Sequence, residues 1–166
     1  EQYGACFQRL RDVLRHLLPL GAFSACDSLR GRVEEVLKRL ARKPHTLLHG
    51  DVCLGALRFS SMDSSSLVAA DDWRFVCRGR GSYDLASLLG RCLAPAERRA
   101  HEGMIMDRYL KASGKLGKGI HGQAAMLWGG TLSAGGAVKS EFEEEVRAGL
   151  LLALAIFIVR HEGSIE

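Results

Sequence analysis

Two aspartates with suitable neighbours are the residues best placed to do chemistry in this chain. Asp51 closes the tripeptide His49-Gly50-Asp51, and Asp72 follows 21 residues later in Asp72-Trp73-Arg74. Loop carboxylates at such a separation can divide the work of phosphoryl transfer. One orients a hydroxyl nucleophile, and the other handles the charge of the phosphates through a metal ion. A third acid, Asp84, lies in Tyr83-Asp84-Leu85-Ala86 at the start of a helical pattern, where a carboxylate can accept backbone N–H bonds and brace a neighbouring loop. Each has a plainer alternative. Asp51 could simply cap its own loop, and Asp71 competes with Asp72.

The elements around these residues set how they could meet. Phe7, Leu10, Val13, Leu14, Leu17 and Leu18 recur at three- and four-residue steps and predict an amphipathic helix, stopped by Pro19 and Gly21. A second helix is predicted from Asp27 or Ser28, burying Val33, Val36, Leu37 and Leu40 and ending at Lys43-Pro44. Thr46 to Leu48 reads as a short strand leading into the Asp51 loop. Leu57 to Phe59 and Leu67 to Ala70, separated by Met62-Asp63-Ser64-Ser65-Ser66, predict a hairpin. That hairpin would bring Asp51 and Asp72 toward one end of the unit. Gly79-Arg80-Gly81 reads as a flexible loop before a helix starting around Tyr83, and Pro95 as the opening of the next helix, through Ile105, Tyr109 and Leu110. Ser113 to Gly122 reads as an exposed connection, Ala124 to Leu132 as a short helix, and Ser140 to Val159 as a long final helix. The fold class is mainly α with a small β-hairpin, in a single domain over 1–166. Helices over 1–45 precede the motifs at 46–92, and a helical subdomain on the substrate side follows over 93–166.

Composition excludes several classes. At 166 residues with a net charge of +4, the chain can bury one sizeable core and is only mildly basic. Its lysines and arginines are scattered at helical spacing without interleaved aromatics, which argues for solvated helix faces and against nucleic-acid binding. Five widely spaced cysteines form no CxxC pair, so a cytoplasmic protein with reduced thiols is expected. Cys53 lies in the motif loop, but no base is placed beside it and a packing role is expected. The longest apolar run, Leu150 to Val159, is about half of the ~20 residues a bilayer requires, so no membrane span is expected. The chain begins at Glu1 and is expected to be a piece of a longer protein.

Leu48-His49-Gly50-Asp51-Val52, Asp72-Trp73-Arg74 and Gly79-Arg80-Gly81-Ser82-Tyr83-Asp84-Leu85-Ala86-Ser87-Leu88-Leu89, with Arg98-Arg99-Ala100-His101-Glu102 and Tyr109-Leu110 behind them, occur in one order over Leu47 to Leu110. In this stretch the chain resembles the C-terminal lobe of the aminoglycoside phosphotransferase and choline-kinase-like superfamily, and within it the ecdysteroid-kinase-like phosphotransferases. The resemblance implies the C-terminal lobe of the protein-kinase-like fold, with Asp51 as the catalytic aspartate and Asp72 as the magnesium ligand. His49 and Asp84 would support the loop, and Trp73 and Tyr83 would pack. ATP and Mg2+ would be the cofactors and a small hydroxyl compound the acceptor, its binding residues unknown.

Two departures qualify what the resemblance implies. The family usually carries a metal-binding asparagine where this chain has Ala56. The N-terminal lobe, with its phosphate-covering loop and lysine, has no counterpart before His49, where helices are predicted. The expected function is therefore the catalytic and substrate-binding lobe of an ATP-dependent small-molecule phosphotransferase, inactive as an isolated chain. The alternative is a pseudokinase-like binding or scaffold domain with a degraded metal site. Apolar surface normally covered by the other lobe would favour a homodimer.

Overall fold

A computed structural model describes residues 2–43, 45–62, 66–120 and 135–160. Three helices come first: α1 (Gln2–Leu17), α2 (Leu20–Leu29) and α3 (Val33–Leu40). Four short strands follow, β1 (Thr46–Leu48), β2 (Leu57–Phe59), β3 (Leu67–Ala70) and β4 (Cys77–Gly79), then α4 (Ser82–Cys92), α5 (Pro95–Ile120) and α6 (Gly135–Arg160). The chain is mainly helical with small antiparallel sheets, and among the described residues no helix is long and apolar enough to cross a membrane. None of the five cysteines is in a disulfide among the described residues.

α6 is apolar on more than one face because it is packed on more than one side. Ala148, Leu152, Ala155 and Ile158 join Phe7, Leu10, Cys26, Leu29, Val36 and Leu40 of α1–α3 in one core. Phe142 and Val146 join Leu85, Ala86 and Leu89 of α4 and Met106 of α5 in a second. Gly149 lets α4 and α6 touch, since a Cβ there would lie 2.7 Å from the Ala86 methyl carbon. Tyr109 stacks on Phe142 at 5.4 Å between ring centroids, adding α5 to the second core.

The predicted hairpin is present. β2 and β3 pair antiparallel, Leu57 opposite Ala70, with an irregularity between Arg58 and Phe59. A second ladder was not expected: β1 pairs antiparallel with β4, Leu48 opposite Cys77 and Thr46 opposite Gly79. Gly79-Arg80-Gly81 is consequently no flexible loop. Gly79 is in the strand, and Arg80 and Gly81 are buried.

Three helical expectations are corrected. α1 does end before Pro19, but Pro19 is also the N-cap of α2, a position that requires no helical N–H from it, and Gly21, expected to stop α1, lies inside α2. Asp27 and Ser28 lie in the last turn of α2 and cap nothing. The Ser28 hydroxyl instead donates back to the Ala25 carbonyl at 2.9 Å, and the Arg30–Arg32 turn separates α2 from α3. α3 has Glu34 and Glu35 in its first turn and Lys38 and Arg39 in its last, which suits the helix dipole. Its buried side is Val36 and Leu40, so Leu37, expected in the core, is 48% exposed on the flank, as is Leu17 of α1 at 65%. Lastly, α5 opens at Pro95 as expected but continues to Ile120, across most of the stretch read as an exposed connection. The short helix expected over Ala124 to Leu132 lies outside the described residues.

Candidate functional site

The β1–β4 ladder ends where His49-Gly50-Asp51 begins. Gly50 has φ +83°, and an added Cβ would run into the Phe75 carbonyl, so only glycine fits both the torsion and the space. His49 is buried. Its Nε2 donates to the Asp71 carbonyl at 2.6 Å, while Nδ1 accepts the Asp51 backbone N–H at 3.3 Å. Those partners suit a ring with a proton on Nε2. The same ring lies 4.8 Å from that of Trp73, whose Nε1 donates to the Ala70 carbonyl at 2.7 Å. Three independent contacts thus join the Asp51 loop to the Asp71–Phe75 segment.

Asp84 braces the loop from the first turn of α4. Its Oδ2 accepts the His49 N–H at 2.6 Å and its Oδ1 the Gly50 N–H at 3.0 Å. Burial pushes the Asp84 carboxyl above its ordinary range, partly opposed by the Gly50 and His49 N–H groups. Tyr83 adds a longer bond from its hydroxyl to the Gly50 carbonyl at 3.4 Å. α4 is in turn anchored by Arg80, which is buried and forks onto Glu145 of α6 at 2.5 and 3.0 Å. Arg80 also donates to the Lys43 carbonyl at 3.1 Å, and its backbone N–H to the Leu40 carbonyl at 3.1 Å. The Ser82 hydroxyl bonds the same Glu145 carboxylate at 3.3 Å.

The two principal aspartates are both paired with arginines. Asp51 Oδ1 accepts from Arg91 Nη1 of α4 at 2.5 Å, and that nitrogen also reaches the Val52 carbonyl at 3.5 Å. Asp72 adopts left-handed backbone, φ 61° and ψ 51°, the single non-glycine residue with positive φ among those described. Its two oxygens accept from Arg74 Nε at 2.6 Å and Nη2 at 2.8 Å. Arg74 holds the Asp72 carboxyl below the ordinary carboxylate range, principally by these hydrogen bonds. The guanidinium also feels the charge of Asp51, so it lies in the field of both acids. Asp71, the competitor, is spent elsewhere: its carboxylate pairs with Arg58 at 2.6 Å and its N–H bonds the Ala56 carbonyl at 2.8 Å.

This donor set does not fit a magnesium ion as it stands. Magnesium takes carboxylate, phosphate and water oxygens in near-octahedral array, whereas both Asp72 oxygens already hold a guanidinium. Ala56 is buried in the turn Leu54–Ala56 and offers only a methyl side chain. No group of three or more His, Cys, Asp or Glu side chains among the described residues could hold a metal. A depression of about 530 Å³ lined by Gly4, Gln8, Asp27, Arg30 and Gly31 includes no residue of the motif loops.

His49, Asp51, Asp72 and Asp84 therefore belong to one connected arrangement, whereas Ala56 only supports its backbone. Sequence reasoning missed Arg91 and gave Arg74 no role of its own. Arg74 could have been found from its i, i+2 spacing to Asp72. Arg91 has no local signal, being one of 23 lysines and arginines whose partner lies across the fold. No family model matches this chain, and no curated protein or solved structure matches it either.

Proposed function

We propose that residues 46–92 form the catalytic unit of a phosphotransferase-type lobe, in the manner of the C-terminal lobe of the kinase-like fold. ATP is the donor and a small hydroxyl compound the acceptor. The observation that carries this reading is the convergence on one loop of two segments distant in sequence: His49 and Gly50 bonded to Asp84, and the Asp71–Phe75 segment meeting the loop where His49 bonds Asp71 and Gly50 seats on Phe75. Such bracing is what a carboxylate needs if it must meet a hydroxyl in fixed orientation. The left-handed backbone at Asp72 adds to it, because strained torsions at non-glycine residues gather at functional sites.

In this reading Asp51 accepts the proton of the attacking hydroxyl as its oxygen bonds to the terminal phosphorus and the bridging oxygen leaves with ADP. Arg91 on Asp51 and Arg74 on Asp72 supply positive charge beside the phosphates. His49 holds the two loops together through its two ring nitrogens. The helices preceding β1 contain no glycine-rich strand–loop–strand among the described residues, so little turnover is expected from these 166 residues alone. Leu47, Leu54, Phe59, Leu67, Phe75 and Val76 leave apolar surface exposed around the short strands, which fits a face that a second body covers.

A second reading is favoured by one observation, the pairing of both acids with arginine beside Ala56. It is a pseudokinase-like domain that binds without transferring. Calorimetry with ATP, on this chain and on a longer parent containing it, tests what the two readings share: both expect binding, and binding by neither protein sinks both. Phosphoryl transfer by the parent, reduced at least ~100-fold by Asp51→Asn, separates the enzyme from the pseudokinase.

A further inference from the structure

We infer that Arg74 stands where a divalent cation would serve Asp72, so that this lobe engages an oligophosphate through a guanidinium and without a metal ion. The inference rests on the phosphotransferase-type reading of the site and departs from the metal dependence which that reading would import.

The geometry comes first. Asp72 is held in left-handed backbone, and the turn Trp73–Phe75 carries Arg74 back over it. Nε and Nη2 then meet the two carboxylate oxygens at 2.6 and 2.8 Å, the parallel two-bond fork that makes arginine–carboxylate pairs both strong and directional. A magnesium ion entering here would have to displace that fork. It would also find no oxygen on Ala56, whose own N–H and carbonyl are bonded to Cys53 and Asp71. The guanidinium already supplies the positive charge beside Asp72.

The chemistry of the fork suits the ligand. A guanidinium carries five N–H donors, more than the Asp72 carboxylate consumes. The Arg74 side chain is 73% exposed, so its remaining donors can be reached from solvent. Planar two-bond recognition of phosphate oxygens is a property of arginine that lysine lacks. Charge balance points the same way. Asp51 and Asp72 would repel a polyanion if left bare, but Arg91 and Arg74 offset one acid each, so phosphates meet a site without net repulsion. The opposing possibility is that Arg74–Asp72 is an ordinary exposed ion pair with no ligand, and such pairs contribute little. The two differ in what removing Arg74 does to anion binding.

The experiment titrates ATP and inorganic tripolyphosphate into the full chain by calorimetry at low ionic strength, once with EDTA and once with magnesium. Binding in EDTA is expected to match binding in magnesium within about threefold, because the cation-like contact is covalently part of the chain. Arg74→Ala should weaken binding in EDTA by roughly tenfold or more, the scale of lost charge-assisted hydrogen bonds. Arg74→Lys should recover only part of it, and Arg78→Ala, an exposed arginine on β4, should change nothing. Binding that disappears in EDTA would overturn the inference and leave the phosphotransferase-type reading standing. Metal-free binding indifferent to Arg74→Ala would also overturn it, assigning the affinity to diffuse basic charge. No binding in either solution would overturn the inference as well, and leave the phosphotransferase-type reading to the test on a longer protein.

Discussion

Replacing Asp84 tests the part of the site on which everything else depends. Its two oxygens are acceptors for the N–H groups of His49 and Gly50, both buried residues. Asp84→Ala would leave two donors without partners, each costing about 1–3 kcal/mol, and partial access by water reduces the sum to about 3 kcal/mol. Asp84→Asn should cost less, about 1–2 kcal/mol, because it keeps one acceptor while its Nδ2 group faces the other N–H, and because the negative charge is not what stabilises the fold. The raised carboxyl shows this: burial outweighs the hydrogen bonds, so the folded chain prefers the protonated form more than the unfolded chain does. The sign for pH follows. This contribution is fully present below the unfolded carboxyl range and is lost as pH rises through the higher folded value, so the Asp84 share of stability falls across mildly acidic pH. Asp84→Asn should flatten that limb. Urea unfolding from pH 4 to pH 7, followed by far-ultraviolet circular dichroism, measures both effects. An Asp84→Ala loss under about 1 kcal/mol would mean that water serves the loop and the brace is dispensable. An Asn variant as damaged as the Ala variant would refute the argument about charge.

The other predictions concern the supports around that brace. Glu145→Ala strands the buried Arg80 guanidinium and should cost about 3–5 kcal/mol, whereas Arg80→Met with Glu145→Leu should return within about 1–2 kcal/mol of the parent in the same urea assay. Gly50→Ala combines an unfavourable torsion with collision against the Phe75 carbonyl and should cost at least about 2 kcal/mol, with loss of the chemical shifts that report the His49–Trp73 ring contact. Burial raises the Tyr3 and Tyr109 phenols, so their stabilisation is complete below the ordinary tyrosine range and lost as pH rises through their folded values. An absorbance titration should accordingly show Tyr3 and Tyr109 ionising late and together with alkaline unfolding, and early ionisation of either would count against the packing described.

What could be read in advance divides along a physical line. The β2–β3 hairpin was legible because two apolar runs flank a polar turn, and α4 and α5 because an apolar stripe and a first-turn proline are local signals. β4 was not, since Cys77-Arg78-Gly79 has no apolar run and becomes a strand only through pairing with β1. α2 was hidden because proline and glycine in close succession read as a stop, although a proline N-cap also begins a helix. The same division holds in the site. An acid at a helix start announces a possible brace, and Asp84 takes that role toward His49 and Gly50. The Arg91–Asp51 and Arg80–Glu145 pairs join residues from separate elements, and no spacing rule in the chain foretells them.

That division also explains why scaffold and ligand chemistry can separate in this protein. The Asp51 and Asp72 loops are held to each other by the His49 ring, the Asp71 carbonyl and the Gly50–Phe75 backbone contact. None of these contacts uses the Ala56 side chain or requires an ion. An alanine at position 56 can therefore leave the shape of the site intact while altering what it attracts, because shape here resides in backbone hydrogen bonds and charge in exchangeable side chains. The geometry of the loops is accordingly what the proposed phosphotransferase-type reading rests on. The arginines seated on its two acids are the argument for how it would meet a phosphate.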